Sequence, residues 1–502
     1  MFGALQSAGY TRLRPANERG AQCLTWFQRI RAIVILFASK IWRGGPRFLL
    51  QLTASILAIL LLAGLFPQHI QHNYAKIINW TRPVPDEFAN LRIVVFGSQD
   101  LSGSGISADG SKSRKSWTEE LCQLMDCSIY TSVVPSASVG PVLTSNAIYG
   151  GHLAEIANAH KDENVEERPS ADIEFLSEHY PNNFEIPDLD AQIARFLTMP
   201  APVPAPKHTL WIFSFGTWDI WNLSAFSRKA GEAQIDIIVN HLFSRIERLY
   251  IQSLNPQSPA FSDFWSNATS NDIGRLANPD SATKVDPRQL ENFRILIPEL
   301  FDITLTPIWD IRRDPPFPHT KGEQMRNAAH LTMYWNSKMT HELQKWTEKG
   351  QQRPEGVESE AIAQILPGKA GSPPVKYLPP GDNSADAKVV YAPYPRRSGT
   401  QSPSIKTILS IMTEEGMQRA GLQDAKGRGG KPATASMRFP DVWTPCLPGG
   451  LNMDGMNFGT NEECSMPNDH LFYDRFTMNQ KAIDNVAAEA AKKVREDLFK
   501  SR

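Results

Sequence analysis

The chain has 502 residues, more than one ordinary domain of about 100–200 residues requires, and enough to bury a sizeable core. Lys+Arg 52 against Asp+Glu 53 leaves a net charge of -1, and 21% charged with 41% hydrophobic residues are ordinary globular values. These figures exclude a disordered acidic chain, a disulfide-dense miniprotein and a generic nucleic-acid binder, so no nucleic-acid partner is expected.

Charge is unevenly distributed at the amino terminus. Residues 1–47 carry eight basic side chains (Arg12, Arg14, Arg19, Arg29, Arg31, Lys40, Arg43 and Arg47) and one acidic one, Glu18. From Phe48 to Phe66 the sequence FLLQLTASILAILLLAGLF then runs 19 residues without a charge. At 1.5 Å per residue this is about 28 Å of helix, enough to span a bilayer core. Residues 1–47 therefore read as a basic cytosolic tail and 48–66 as a transmembrane signal anchor. Residues 67–90 read as a stem. By the positive-inside rule the topology is type II, with everything beyond the anchor lumenal or extracellular, in the endoplasmic reticulum, the Golgi or at the cell surface. A cleaved signal peptide is the rival reading, but a basic region of 47 residues is far too long for one and no small-x-small site follows. The shorter stretch from Ala32 to Trp42, interrupted by Ser39 and Lys40, reads as an interfacial segment.

Cysteine usage agrees with that topology. Only Cys23 falls in the tail, leaving Cys122, Cys127, Cys446 and Cys464 on the oxidising side. Sequence proximity favours Cys122 with Cys127 and Cys446 with Cys464, although four cysteines permit three connectivities. Acceptor triplets for N-glycosylation stand at Asn79, Asn222 and Asn267. No pair of cysteines is matched by a second pair or by suitably spaced histidines, so no metal and no other cofactor is expected.

Beyond the stem, strands alternate with helices. LRIVVF at 91–96 is a short β-branched run closed by Gly97, and the loop that follows is rich in Gly, Ser and Asp. Helical spacing is seen at 117–125, a second strand at 129–134, an amphipathic helix at 187–199 and a third strand at 208–215 closed by Gly216. A long helix is expected over 230–252, strand over 293–305 and helix over 321–349. Residues 350–385, dense in Pro, Gly, Ser and charge, read as a mobile insertion that divides the domain into 91–349 and 386–502. The stretch 388–391 is expected as the last core strand, with helices at 405–419 and 482–498. This order predicts an α/β fold, a three-layer α/β/α arrangement in which helices cover both faces of a parallel sheet.

In such a sheet function sits at the carboxyl ends of strands, which directs scrutiny to the loops after Phe96, Val134, Phe215 and Tyr391. VVFGSQDLSGSG resembles the first block of the SGNH/GDSL hydrolases, where a strand runs into F-G-D-S-L and the serine is the nucleophile. WIFSFGTWDIWNL is similar to their third block, a strand followed by G-x-N-D. CSMPNDHLFYDRFTMNQKA is similar to their last block, F-W-D-x-x-H leading into a helix, and TPCLPGG to a cysteine-containing loop before it. Gly140 fits the glycine of the second block. The resemblance covers residue 91 to the end and implies a flavodoxin-like sheet order.

Aligned this way, Gly97 and Gly216 keep the family glycines, and Asp219 and Asp474 keep the acids. Ser98 falls on the family Asp and Gln99 on the nucleophilic serine; Trp218 replaces the oxyanion-stabilising Asn, and Thr477 stands where the catalytic His should be. Loss of one oxyanion donor costs about 10²–10³-fold in rate and loss of a triad residue about 10⁴. The leading expectation is therefore a catalytically degenerate, membrane-anchored protein that binds a glycan or a protein partner. One alternative is an active carbohydrate or lipid esterase that recruits Ser98, Ser102 or Ser104 as nucleophile and His470 as base. Another is a Golgi-type glycosyltransferase, suggested by type II topology and the acidic triplet Asp188-Leu189-Asp190. Plainer readings compete with each feature: Ser98 and Asp100 as loop and cap residues, Trp211, Trp218 and Trp221 as core packing rather than a sugar-stacking cleft, His319, His330 and His470 as structural, and the acidic triplet as helix-start charge.

Overall fold

The computed structural model describes residues 90–98, 101, 103, 105–106, 113–135, 141–161, 172–264, 292–354, 375–377, 389–391, 394–423, 438–447 and 463–499. All belong to one compact unit, Asp86–Arg502. No helix among the described residues is long and apolar enough to cross a membrane; the expected anchor at 48–66 lies outside them, as do the tail and almost all of the stem.

The core is a five-stranded parallel sheet built from β1 (Leu91–Gly97), β2 (Ile129–Ser132), β3 (His208–Ser214), β4 (Asn292–Pro298) and β5 (Arg396–Ser402), in the order β2-β1-β3-β4-β5. β1 is buried along its whole length, which explains why LRIVVFG is a continuous apolar run and not an alternating one. The helices are α1 (Trp117–Leu124), α2 (Asn146–Lys161), α3 (Ile173–His179), α4 (Leu189–Leu197), α5 (Thr217–Leu223), α6 (Arg228–Gln252), α7 (Lys321–Glu348), α8 (Ser404–Arg419) and α9 (Gln480–Leu498).

Neighbouring residues of β5 show that helices cover both faces, because successive side chains on a strand point to opposite sides. A Cβ on Gly399 would lie 2.6 Å from Leu343 of α7, whereas the hydroxyl of Thr400 bonds Asp497 of α9. The α7 face carries an aromatic row across five elements. Phe196 of α4 meets Phe96 edge-on at 5.6 Å, Phe96 stacks on Phe213 at 5.5 Å, Trp211 stacks on Phe293 at 5.5 Å, and Phe293 meets Trp346 of α7 at 6.0 Å. Trp211 is thus a core residue, fully buried.

Three buried arginines hold the opposite, amino-terminal edge. Arg92 bonds the carbonyls of Pro259, Ala260 and Phe261, and burial lowers its pKa to about 9. Arg294 bonds the carbonyl of Leu498, and its charge joins burial in pushing His208 down to about 3. Arg397 grips Glu247 of α6 through two bonds of 3.0 and 2.6 Å.

Two expected strands are corrected. The stretch 389–391 does not join the core sheet but pairs antiparallel with 375–377; the last core strand is the polar RRSGTQS of β5. β4 ends at Pro298, and the chain continues through 3-10 turns at Ile303–Leu305 and Pro307–Ile311. Most of the expected insertion, 355–374 and 378–388, lies outside the described residues.

Candidate functional site

β1 has β2 on one side and β3 on the other, so the chain leaves the carboxyl ends of β1 and β3 in opposite directions and opens a switch point there. Gly97 and Ser214 are paired across this point, so closely that a Cβ on Gly97 would fall 2.5 Å from the Ser214 carbonyl oxygen. Gln192, fully buried on α4, accepts the Gly97 N–H at 2.9 Å and donates to the Gly97 carbonyl at 2.9 Å. The next residue, Ser98, is 4% exposed; its N–H donates to the Ser214 carbonyl at 2.8 Å and its hydroxyl to the same oxygen at 3.3 Å. A carbonyl cannot take the proton that an attacking serine must lose, and no histidine bonds Ser98 among the described residues. Gln99, Ser102 and Ser104 lie outside the described residues.

Gly216 follows β3 with φ +115°, a left-handed conformation that favours glycine, and starts α5. Trp218 is 2% exposed and packs on Phe476 at 4.8 Å and edge-on to Trp221 at 6.2 Å. Where the resemblance places an amide donor, this chain has an aromatic plug. Asp219 is buried beside it. Its carboxylate accepts the Thr144 N–H at 3.1 and 3.2 Å and the Thr144 hydroxyl at 2.7 Å. Burial nevertheless raises its pKa to about 6, against the lowering effect of the Thr144 bonds, with Asp188 adding repulsion. Asp188 in turn accepts the Asn146 N–H at 3.0 Å, so the loop 144–146 is gripped from two sides.

The third part comes from the loop before α9. Asp474 accepts the backbone N–H groups of Phe476 and Thr477 at 2.8 and 2.5 Å, and the Thr477 hydroxyl donates to its second oxygen at 2.6 Å. Arg114, from the loop after β1, donates to the Thr477 hydroxyl at 2.5 Å and to the Met478 carbonyl at 3.2 Å. It lies 4.0 Å from Asp474 and 3.9 Å above the Tyr473 ring. Burial lowers the Arg114 pKa while Asp474 raises it, and a guanidinium so held stays protonated. Where the resemblance places an Asp–His dyad, this chain has Asp474, Thr477 and Arg114, with no histidine among them. Met478 donates its N–H to the Leu101 carbonyl at 2.7 Å, which ties this loop to the one after β1. His470 is not brought to Ser98: its Nδ1 donates to the Thr444 carbonyl at 2.9 Å.

Arg312 borders the same edge of the sheet. Its guanidinium sits 4.6 Å from the Tyr180 ring, 4.6 Å from Trp221 and 4.7 Å from Trp309, and donates to Gln324 at 2.6 Å and the Trp221 carbonyl at 2.8 Å. Burial lowers its pKa to about 10. Trp221 is enclosed in this stack and offers no sugar-stacking face.

The cysteines pair as Cys122–Cys127 and Cys446–Cys464. Asn222 is 5% exposed within α5, so that acceptor triplet is closed off in the folded chain; Asn79 and Asn267 lie outside the described residues. No group of three or more potential metal ligands occurs among the described residues. His319 and His330 pair with Glu323 and Glu232. Asp188 caps α4, and Asp190 pairs with His241 and Arg245, so the acidic triplet serves a helix start.

Sequence reasoning missed Arg114, Thr144, Gln192 and Phe476. The spacing of Asp474 and Thr477 does carry a local turn signal. Nothing in linear spacing connects Arg114 to Thr477, or Gln192 to Gly97. Compared with protein-family models and with curated proteins, the chain matches none.

Proposed function

We propose that this chain is a single-pass type II membrane protein whose lumenal or extracellular α/β domain derives from the SGNH/GDSL hydrolase fold and acts by binding, without ester hydrolysis. The strand order β2-β1-β3-β4-β5 is the flavodoxin-like order that the resemblance implies. The three motif blocks also converge: the block after β3 meets the last block through Trp218 and Phe476, and the last block meets the loop after β1 through Met478 and Leu101. The anchor rests on the sequence, a basic tail followed by 19 uncharged residues.

The observation that carries the non-catalytic reading is the fate of the reacting groups. The Ser98 hydroxyl donates its hydrogen bond to a carbonyl, which cannot deprotonate it, while Asp474 is occupied by Thr477 and Arg114. With Trp218 and Phe476 filling the crevice, ligand contact falls to its rim. The loops that lead from Tyr180 and Arg312, joined by the stack of those two residues, expose Phe184 (71%) and Phe317 (97%). Such exposed aromatics suit a glycan or a protein partner. Treatment of the full-length protein with a fluorophosphonate probe is expected to give no labelled serine. Stoichiometric labelling that Ser98→Ala or Ser102→Ala abolishes would instead establish an esterase and name its nucleophile.

A further inference from the structure

The link from α5 to α6 and the first two turns of α7 enclose a small pocket of about 20 Å³, with Ala225, Phe226, Gln324 and Asn327 in its lining. It has room for a single group the size of a water or a methyl. Two of its polar side chains are more than nine-tenths buried and engaged at one end only. Gln324, 3% exposed, accepts from Arg312 Nε at 2.6 Å. A guanidinium has no acceptor atom, so the carboxamide oxygen is the end that faces Arg312 and the Nε2 donor is turned away from it. That donor has no hydrogen-bond partner among the described residues. Asn327, 7% exposed and one turn further along α7, donates Nδ2 to the Phe226 carbonyl at 3.0 Å. Its Oδ1 is left as an acceptor without a partner among the described residues. Neither free atom is sealed off from solvent.

The pocket thus presents one donor and one acceptor, three positions apart on one helix face, beside the apolar Ala225 and Phe226. Its other polar groups are paired: the Ser224 hydroxyl donates to the Trp221 carbonyl, Ser227 caps α6, and His319 lies 3.2 Å from Glu323. The Glu323 carboxylate in the lining disfavours an anionic ligand. A neutral group that accepts at one end, donates at the other and carries a methyl meets all of these constraints, and an acetamido group has that form. We propose that this pocket is a subsite for the acetamido group of an N-acetylated sugar: its carbonyl accepts from Gln324 Nε2, its N–H donates to Asn327 Oδ1, and its methyl rests on Ala225 and Phe226. A backbone amide of a peptide would bring a chain on either side into a pocket of this size. The sugar ring has an aromatic face at hand, because Phe317, two residues before His319 of the lining, is 97% exposed. The inference rests on the binding reading above and names its ligand class.

Calorimetric titration and saturation-transfer NMR of the full-length protein with N,N′-diacetylchitobiose test it, beside cellobiose, which has hydroxyls in place of the acetamido groups. The diacetylated sugar is expected to bind about tenfold or more tightly than cellobiose, with the strongest saturation at an acetyl methyl. Gln324→Glu keeps an oxygen for Arg312 Nε but turns the pocket's donor into an acceptor. It is expected to weaken binding of the diacetylated sugar about tenfold or more and to leave cellobiose unchanged. Phe317→Ala removes an exposed ring that the core does not use, and is expected to weaken both sugars several-fold. Equal binding of the two sugars overturns the proposal, as does diacetylchitobiose binding that survives Gln324→Glu. Binding of neither sugar also overturns it and leaves the two polar atoms to water. Fluorophosphonate labelling of a serine, by contrast, would overturn the non-catalytic reading and leave the pocket standing.

Discussion

The buried carboxylate of Asp219 makes a prediction whose sign can be worked through. Its pKa stands at about 6 in the folded chain, raised from 3.8 by burial despite three bonds from Thr144. The folded state therefore binds a proton more tightly than the unfolded state. Stability is highest below the unfolded pKa and falls as pH rises between about 3.8 and about 6, then levels off. A shift of roughly two units at 1.36 kcal/mol each sets the loss at about 3 kcal/mol. Asp219→Asn keeps the shape. Its amide oxygen accepts the Thr144 N–H, and its amide nitrogen donates to the Thr144 hydroxyl, which reverses its role. Urea unfolding of both proteins from pH 3.5 to 8 should show the Asn variant gaining about 3 kcal/mol relative to the parent as pH rises through this window, with no further change above it. A difference that is flat with pH, or that favours the parent as pH rises, would refute the reasoning: it would mean the Thr144 bonds outweigh desolvation and the acid is held ionised.

Arg397→Met leaves Glu247 half-buried without its guanidinium, and is expected to cost about 3–5 kcal/mol by denaturant unfolding; a loss below about 1 kcal/mol would mean solvent reaches Glu247 freely. Gly97→Ala puts a methyl 2.5 Å from the Ser214 carbonyl oxygen and should destabilise by about 1–3 kcal/mol, read as a lowered urea midpoint. Site-resolved glycopeptide mapping of protein from a secretory-pathway host should find Asn222 unmodified, since it is buried in α5, with modification confined to Asn79 and Asn267; a glycan on Asn222 of the folded protein would contradict the packing of α5.

Much of the sheet was legible because its inner strands are buried on both faces. β1, β3 and the start of β4 are short apolar runs with one reading, and α6, α7 and α9 have the length and polarity of helices that cover a sheet. β5 was not legible. RRSGTQS has no apolar run, and it is a strand because Arg397 finds Glu247, Thr400 finds Asp497 and Gly399 lets Leu343 approach. The more apolar 389–391 competed for that place in the sequence and belongs to a small hairpin instead.

For the site, the proposed resemblance sets Gln99, Trp218 and Thr477 against that family's nucleophile, oxyanion donor and base, a reading that uses residue types alone, and cysteine proximity anticipated both disulfides. Tertiary structure decided what fills the space they leave. Arg114 and Thr477 are 363 positions apart, and Gly97 and Gln192 are 95 apart. Contacts over such separations follow from chain crossovers and have no periodicity to read. Local patterning records which face of a strand or helix is apolar, because burial acts on each residue where it stands. The partner of a buried polar group is fixed only when the sheet order brings distant loops to one edge, as it brings Arg114 to Asp474 and Gln192 to Gly97.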